Sequence, residues 1–136
     1  MVEIKITGID LDAVTEPILD GSPGSALYII PFNLSEEPPM EWEEYLAHAW
    51  DNPETFTTMH RPGISSVIGK QIILDGTTIE EVEKYHFIVL KAAVVMANNK
   101  YGEMMKREKM LSEKRNENSN EHRKNVEEIA NRLDFK

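Results

Sequence analysis

The chain has 136 residues, 40% of them hydrophobic, enough for one ordinary domain with a core of its own. It has no cysteine, which excludes disulfides and thiolate metal sites. The net charge of −9 is unevenly placed: residues 1–102 carry 6 Lys and Arg against 16 Asp and Glu, a net of −10, whereas residues 103–136 carry 9 against 8. An acidic body repels phosphate and the balanced tail offers no basic arm, so no nucleic-acid partner is expected.

The opening Met-Val-Glu-Ile-Lys-Ile lacks the basic and apolar regions of a secretory signal, and no apolar run is long enough for a bilayer. A cytoplasmic protein with no membrane partner is the expectation. Residues 2–7 alternate Val, Ile and Ile with Glu, Lys and Thr, the period of a strand with one wet face. Residues 8–25 then turn to Gly, Pro, Asp and Ser, a long connection of the kind that often binds ligands. Its Ile9, Leu11, Val14, Ile18 and Leu19 argue that part of it lies against the body. A second strand is predicted over residues 26–34; Pro31 has no N–H for a ladder, which places it at a bulge or on an edge.

Ser35-Glu36-Glu37-Pro38-Pro39 suits a helix N-terminus. Trp42, Tyr45, Leu46, Ala49 and Trp50 share one face of that helix, with Glu41, Glu44, His48 and Asp51 on the other, and Asp51-Asn52-Pro53 ends it. A short strand over residues 56–60 would be stopped by Arg61-Pro62-Gly63. Residues 64–68 and 71–74 flank Gly69-Lys70, a two-residue connection with Gly first, and read as a hairpin.

The chain is organised around residues 71–101, a strand, a turn and the most apolar helix. Asp75-Gly76 ends the strand, and Thr77 with Glu80 makes a capping box that starts the helix, where Glu80, Glu81 and Glu83 complement its dipole. Ile79, Val82, His86, Val89, Leu90, Ala93 and Ala97 project to one face; Glu81, Lys84, Lys91, Asn98 and Asn99 lie roughly opposite. Between Phe87 and Ala97 the one polar residue is Lys91, so Ile88, Ala92 and Val95 fall outside the core arc. One sheet cannot cover so wide a stripe, and Ile88, Ala92 and Val95 are the candidates for self-association.

Beyond Tyr101, Gly102 and Asn116-Glu117-Asn118-Ser119-Asn120 read as interruptions, followed by Val126, Ile129, Ala130 and Leu133 at helical spacing and Phe135 near the end. The division is therefore a domain over residues 1–102 and a charged helical or disordered extension over residues 103–136, a place where a protein partner can dock. The fold class is α+β: a two-layer sandwich with a mixed or antiparallel sheet of about four to five strands and two helices on one face.

Asp10-Leu11-Asp12-Ala13-Val14 after an apolar strand resembles the nucleophile motif of the haloacid dehalogenase-like phosphatases. The resemblance implies an attacking Asp, an acid/base Asp and Mg²⁺, but it covers this segment alone. The doubly wound parallel sheet and the downstream Lys and paired Asp of those enzymes have no counterpart, which leaves a solvated acidic loop. Asp20 could join the two carboxylates in space, yet the oxygen ligands and Gly of a Ca²⁺ loop are missing.

Thr57-Thr58-Met59-His60-Arg61 is the richest polar segment: an imidazole and a guanidinium in a turn, with two hydroxyls, could hold an anionic ligand through His60, Arg61, Thr57 and Thr58. No nucleophile context accompanies them, so catalytic residues stay unassigned. His86 falls on the apolar face and His48 one turn from Glu44, His122 lies in the tail, and no HxH or HExxH spacing suggests a metal; no cofactor is called for. The leading expectation is a binding or assembly protein that forms a homodimer or other homo-oligomer through its long helix. A small enzyme or ligand-binding protein for an anionic molecule, using the His60-Arg61 turn, is the alternative.

Overall fold

A computed structural model describes residues 3–54 and 57–135. Its elements in order are β1 (Ile6–Ile9), a 3₁₀ turn (Leu11–Ala13), β2 (Tyr28–Leu34), α1 (Met40–Asp51), β3 (Ser65–Ile68), β4 (Gln71–Thr77), α2 (Ile79–Glu81), a π-helical turn (Val82–His86) and α3 (Phe87–Arg132). The strands form one antiparallel sheet in the order β1-β2-β4-β3, an α+β fold. Contacts divide the chain into two units, Met1–Gly102 and Glu103–Lys136.

In the first unit, alternation decides which sheet face is buried. Ile30, Phe32 and Leu34 of β2 stand beside Ile72 and Leu74 of β4, with Phe32 opposite Ile72 and Ile30 opposite Leu74. Onto that face α1 brings Trp42, Leu46, Ala49 and Trp50, and the long helical run brings Val82, Leu90, Ala93, Val94 and Ala97, all in one core cluster. The hairpin forms as its turn residues demand: Ile68 pairs with Gln71, and Gly69 takes φ +58°, where a side chain would be strained.

Several expectations are corrected. The first strand runs Ile6–Ile9 rather than over residues 2–7; Val2 lies outside the described residues. Of the loop that follows, Ile9 and Val14 pack on the core, whereas Leu11, Ile18 and Leu19 are exposed. Pro31 is on neither an edge nor a bulge but buried in an interior strand. It is tolerated because its carbonyl faces β1 and accepts from Asp10 N (3.0 Å), one residue past the end of that strand, so the N–H it lacks would have met the ladder's end. Residues 57–60 turn instead of forming a strand, and Phe56 lies outside the described residues.

Gly76 does not end β4. It sits at φ +113° inside the strand, opposite the register shift between Tyr28 and Ile29, and so makes a bulge. The strand therefore gains Thr77, and the cap moves one residue: Thr78, not Thr77, accepts from the amide three residues on, Glu81 N, at 3.1 Å. Neither Gly102 nor Asn116 to Asn120 interrupts α3. Each costs some helix propensity, about 1 kcal/mol for Gly, but none removes a backbone donor as proline would.

Asn98 is not on a wet face. Its Oδ1 accepts from the Ile4 amide (3.0 Å) and from Trp42 Nε1 (2.9 Å), and its Nδ2 donates to the Ile4 carbonyl (2.8 Å). One side-chain amide thus stands in for a neighbouring strand beside buried Ile4. Asn98→Ala would strand three polar groups and is expected to cost about 2–4 kcal/mol in urea unfolding, against less than about 0.5 kcal/mol for the exposed neighbour Asn99→Ala.

Candidate functional site

Two places in the first unit carry chemistry beyond packing. One is a polar cluster where α2 and the π turn meet residues 57–63. Capping by Thr78 points the Glu81 carboxylate at that connection, and Arg61 grips it with two parallel bonds, Nε to Oε1 at 2.8 Å and Nη2 to Oε2 at 2.9 Å. The same Oε1 receives Thr77 Oγ1 at 3.2 Å and His86 Nε2 at 3.2 Å. Behind it, Trp50 donates Nε1 to the Arg61 carbonyl (2.9 Å) and its own carbonyl meets His60 Nε2 (2.7 Å). The rings of His60 and His86 pack on that indole at centroid distances of 4.6 and 5.6 Å.

The Arg61 guanidinium, hydrogen-bonded to Glu81, holds that carboxyl down to about 2, with help from His86 and Thr77. The same bond raises Arg61 further. Burial pushes His86 below the ordinary imidazole value, with Glu81 opposing. Glu81 and His86 both hold native pKa values below their unfolded ones, so the unfolded chain binds more protons and stability is lost as the pH is lowered. The loss begins through His86 below about 6.5 and continues through Glu81 between 4.5 and about 2. In acid titration followed by circular dichroism, Glu81→Gln is expected to be less stable at neutral pH by on the order of 2–3 kcal/mol and to show a flatter curve below pH 4.5.

The sequence brought His60 and Arg61 forward, and the structure places both within this cluster. Thr57 is half-buried and its Oγ1 has no hydrogen-bond partner among the described residues; Thr58 is exposed. Glu81, Thr77 and Trp50 were not singled out as site residues. Glu81 carried a signal, an acid at N3 of a Thr-capped helix. Asp10 accepts from Gln71 Nε2 (2.8 Å), beside Asn33 (2.9 Å), and Asp12 is exposed. Among the described residues no group of three or more His, Asp or Glu could hold a metal ion, and no helix is long and apolar enough to cross a membrane.

The second place is the outer side of α3. Ile88 is 72% exposed and Val95 57%, with Ala92 also exposed between them. Their spacing of four and three residues sets them in one stripe along the helix. All three line one groove, and Val95 also borders a second. One, of about 480 Å³, runs between the end of α1 and α3, with Ala49, Pro53 and Met96 on its walls. The other, of about 400 Å³, lies toward Ile4 and Ile6 and includes Phe87 and Lys91. Lys91 lies over the Phe87 ring at 5.4 Å, its charge at the rim of the second groove, while Glu54 edges the first.

Comparison of the chain with protein-family models, with curated proteins and with solved structures finds no match.

Proposed function

We propose that the protein is a non-enzymatic assembly domain that self-associates through α3, with Ile88, Ala92 and Val95 forming the seam between two copies. The observation that carries this reading is the exposure of that apolar stripe along α3. Ala92 has no bulk between two branched neighbours, so a second helix can approach closely there, and branched side chains of one copy can enter the groove that Ile88, Ala92 and Val95 line on the other. The two grooves differ in rim charge. When the grooves of opposite kind face each other, Lys91 of each copy comes toward Glu54 of its partner, which favours parallel helices over antiparallel ones.

The anion-binding alternative has less support, since the Arg61 guanidinium is held by Glu81 and His60 by the Trp50 carbonyl. Sedimentation equilibrium from about 1 µM to about 500 µM tests the assembly reading. A monomer–dimer equilibrium is expected, and a monomer throughout would end it.

A further inference from the structure

Beyond assembly, the polar cluster carries a second consequence. His86 is wholly buried, and its Nε2 faces a carboxylate oxygen that can only accept, so Nε2 holds the hydrogen of the neutral ring. A second proton must therefore enter at Nδ1, which is buried and has no hydrogen-bond partner among the described residues. The charged and titratable groups around it are Glu81 from α2 and Arg61 and His60 from residues 57–63, the His60 ring at 6.4 Å. From α1 comes Trp50, and through Glu81 comes Thr77 of β4, neither of which titrates between pH 5 and 8. The single carboxylate is already paired twice with Arg61, and a protonated His86 would set a second cation against the oxygen that Arg61 Nε holds.

We propose that neutral His86 is the catch of an acid-operated latch: when it takes a proton, residues 57–63 lift from Trp50 and Glu81 while the sheet stays folded. The buried cation needs water, and the layer that parts to admit it is the irregular connection. That layer is tied down by Trp50 Nε1 to the Arg61 carbonyl, His60 to the Trp50 carbonyl, the Arg61–Glu81 pair and Gly63 N to Asp51 (2.7 Å). The other walls belong to β4 and the helices, whose backbone bonds and core contacts cost far more to break. The unfavourable burial of a charged His86 ring acts in the same direction. The π turn ends at His86, so that irregular helical turn sits against the part that moves.

The chain's two tryptophans supply the test. The Trp50 indole N–H closes on the latch, and that of Trp42 closes on Asn98 in the body. Their hydrogen exchange, followed by ¹⁵N-edited NMR from about pH 7.5 to about pH 5, separates local from global opening, because the ratio of the two cancels the intrinsic pH dependence. The exchange of Trp50 relative to Trp42 is expected to rise by up to about tenfold for each pH unit below the ordinary imidazole value of 6.5, which the opened latch restores to His86, and to level off once the pH passes below the lower native value. A ratio that stays flat, or a pH response removed by His60→Gln and kept by His86→Gln, overturns the latch. His86→Gln keeps a neutral donor for Glu81 and is expected to abolish the response; should it not fold, the wild-type ratio still decides. A chain that never associates would end the assembly reading and leave this ratio unchanged.

Discussion

Trp50→Ala is expected to lower the unfolding free energy by about 4 kcal/mol, the usual cost of deleting a fully buried large aromatic side chain, with a proportionate fall in the urea midpoint. Trp50 has no exposed surface and joins three parts of the first unit: the core, the connection bearing His60 and Arg61, and the π turn through His86. Removing the indole opens a cavity and leaves the Arg61 carbonyl without its donor. Trp50→Phe keeps much of the ring volume but loses Nε1, and is expected to cost about half as much. Met40→Ala, at an exposed position on the same helix, is expected to change stability by less than about 0.5 kcal/mol. Because domains of this size hold only about 5–15 kcal/mol, Trp50→Ala will sit near the threshold of folding. A loss below about 1 kcal/mol would show that the indole does not join these parts as described.

Ile88→Asp with Val95→Asp is expected to weaken self-association by more than about 100-fold, because an interface that buries the stripe would then bury four carboxylates without partners. The fold itself should hardly respond. Both side chains face solvent in the single chain, so urea unfolding of the variant measured as a monomer should match the wild type within about 0.5 kcal/mol. That separation distinguishes an interface from a core: substitution at Leu90, which is fully buried on the same helix, should damage both. Unchanged sedimentation of the double variant would move the seam elsewhere.

Much of the fold was legible because it is written in short-range pattern. Apolar runs marked β2 and β4, Gly69-Lys70 marked the hairpin, and the Trp42, Leu46, Ala49 and Trp50 spacing marked the buried side of α1. The helix start was ambiguous by one residue because Thr77-Thr78 is matched by Glu80-Glu81, and each Thr has an acid three positions on. Only the bulge at Gly76, a matter of pairing between distant strands, chooses the second. Pro31 misled for a related reason: whether a proline harms a strand depends on where its neighbour ends, and β1 ends at Ile9.

The sites divide in the same way. That Ile88, Ala92 and Val95 fall outside the core arc followed from helical geometry alone. The bond set of Asn98 did not, since Ile4 and Trp42 lie 94 and 56 residues away, although its spacing from Val94 and Tyr101 would have put it toward the buried side. His60 and Arg61 stood out by residue type, but their partners Glu81 and His86 come from another element, and the π turn that delivers His86 has no signature in the sequence.

The most direct test of the central claim uses the absence of cysteine in this chain. Ala92→Cys places one thiol at the middle of the stripe, and a disulfide forms only where two α-carbons come within about 7 Å. Mild oxidation of Ala92→Cys is expected to give a covalent dimer in high yield, while Lys70→Cys, on the hairpin turn, stays monomeric. An Ala92→Cys protein that remains monomeric, or that cross-links no faster than Lys70→Cys, would contradict the pairing of two chains along α3.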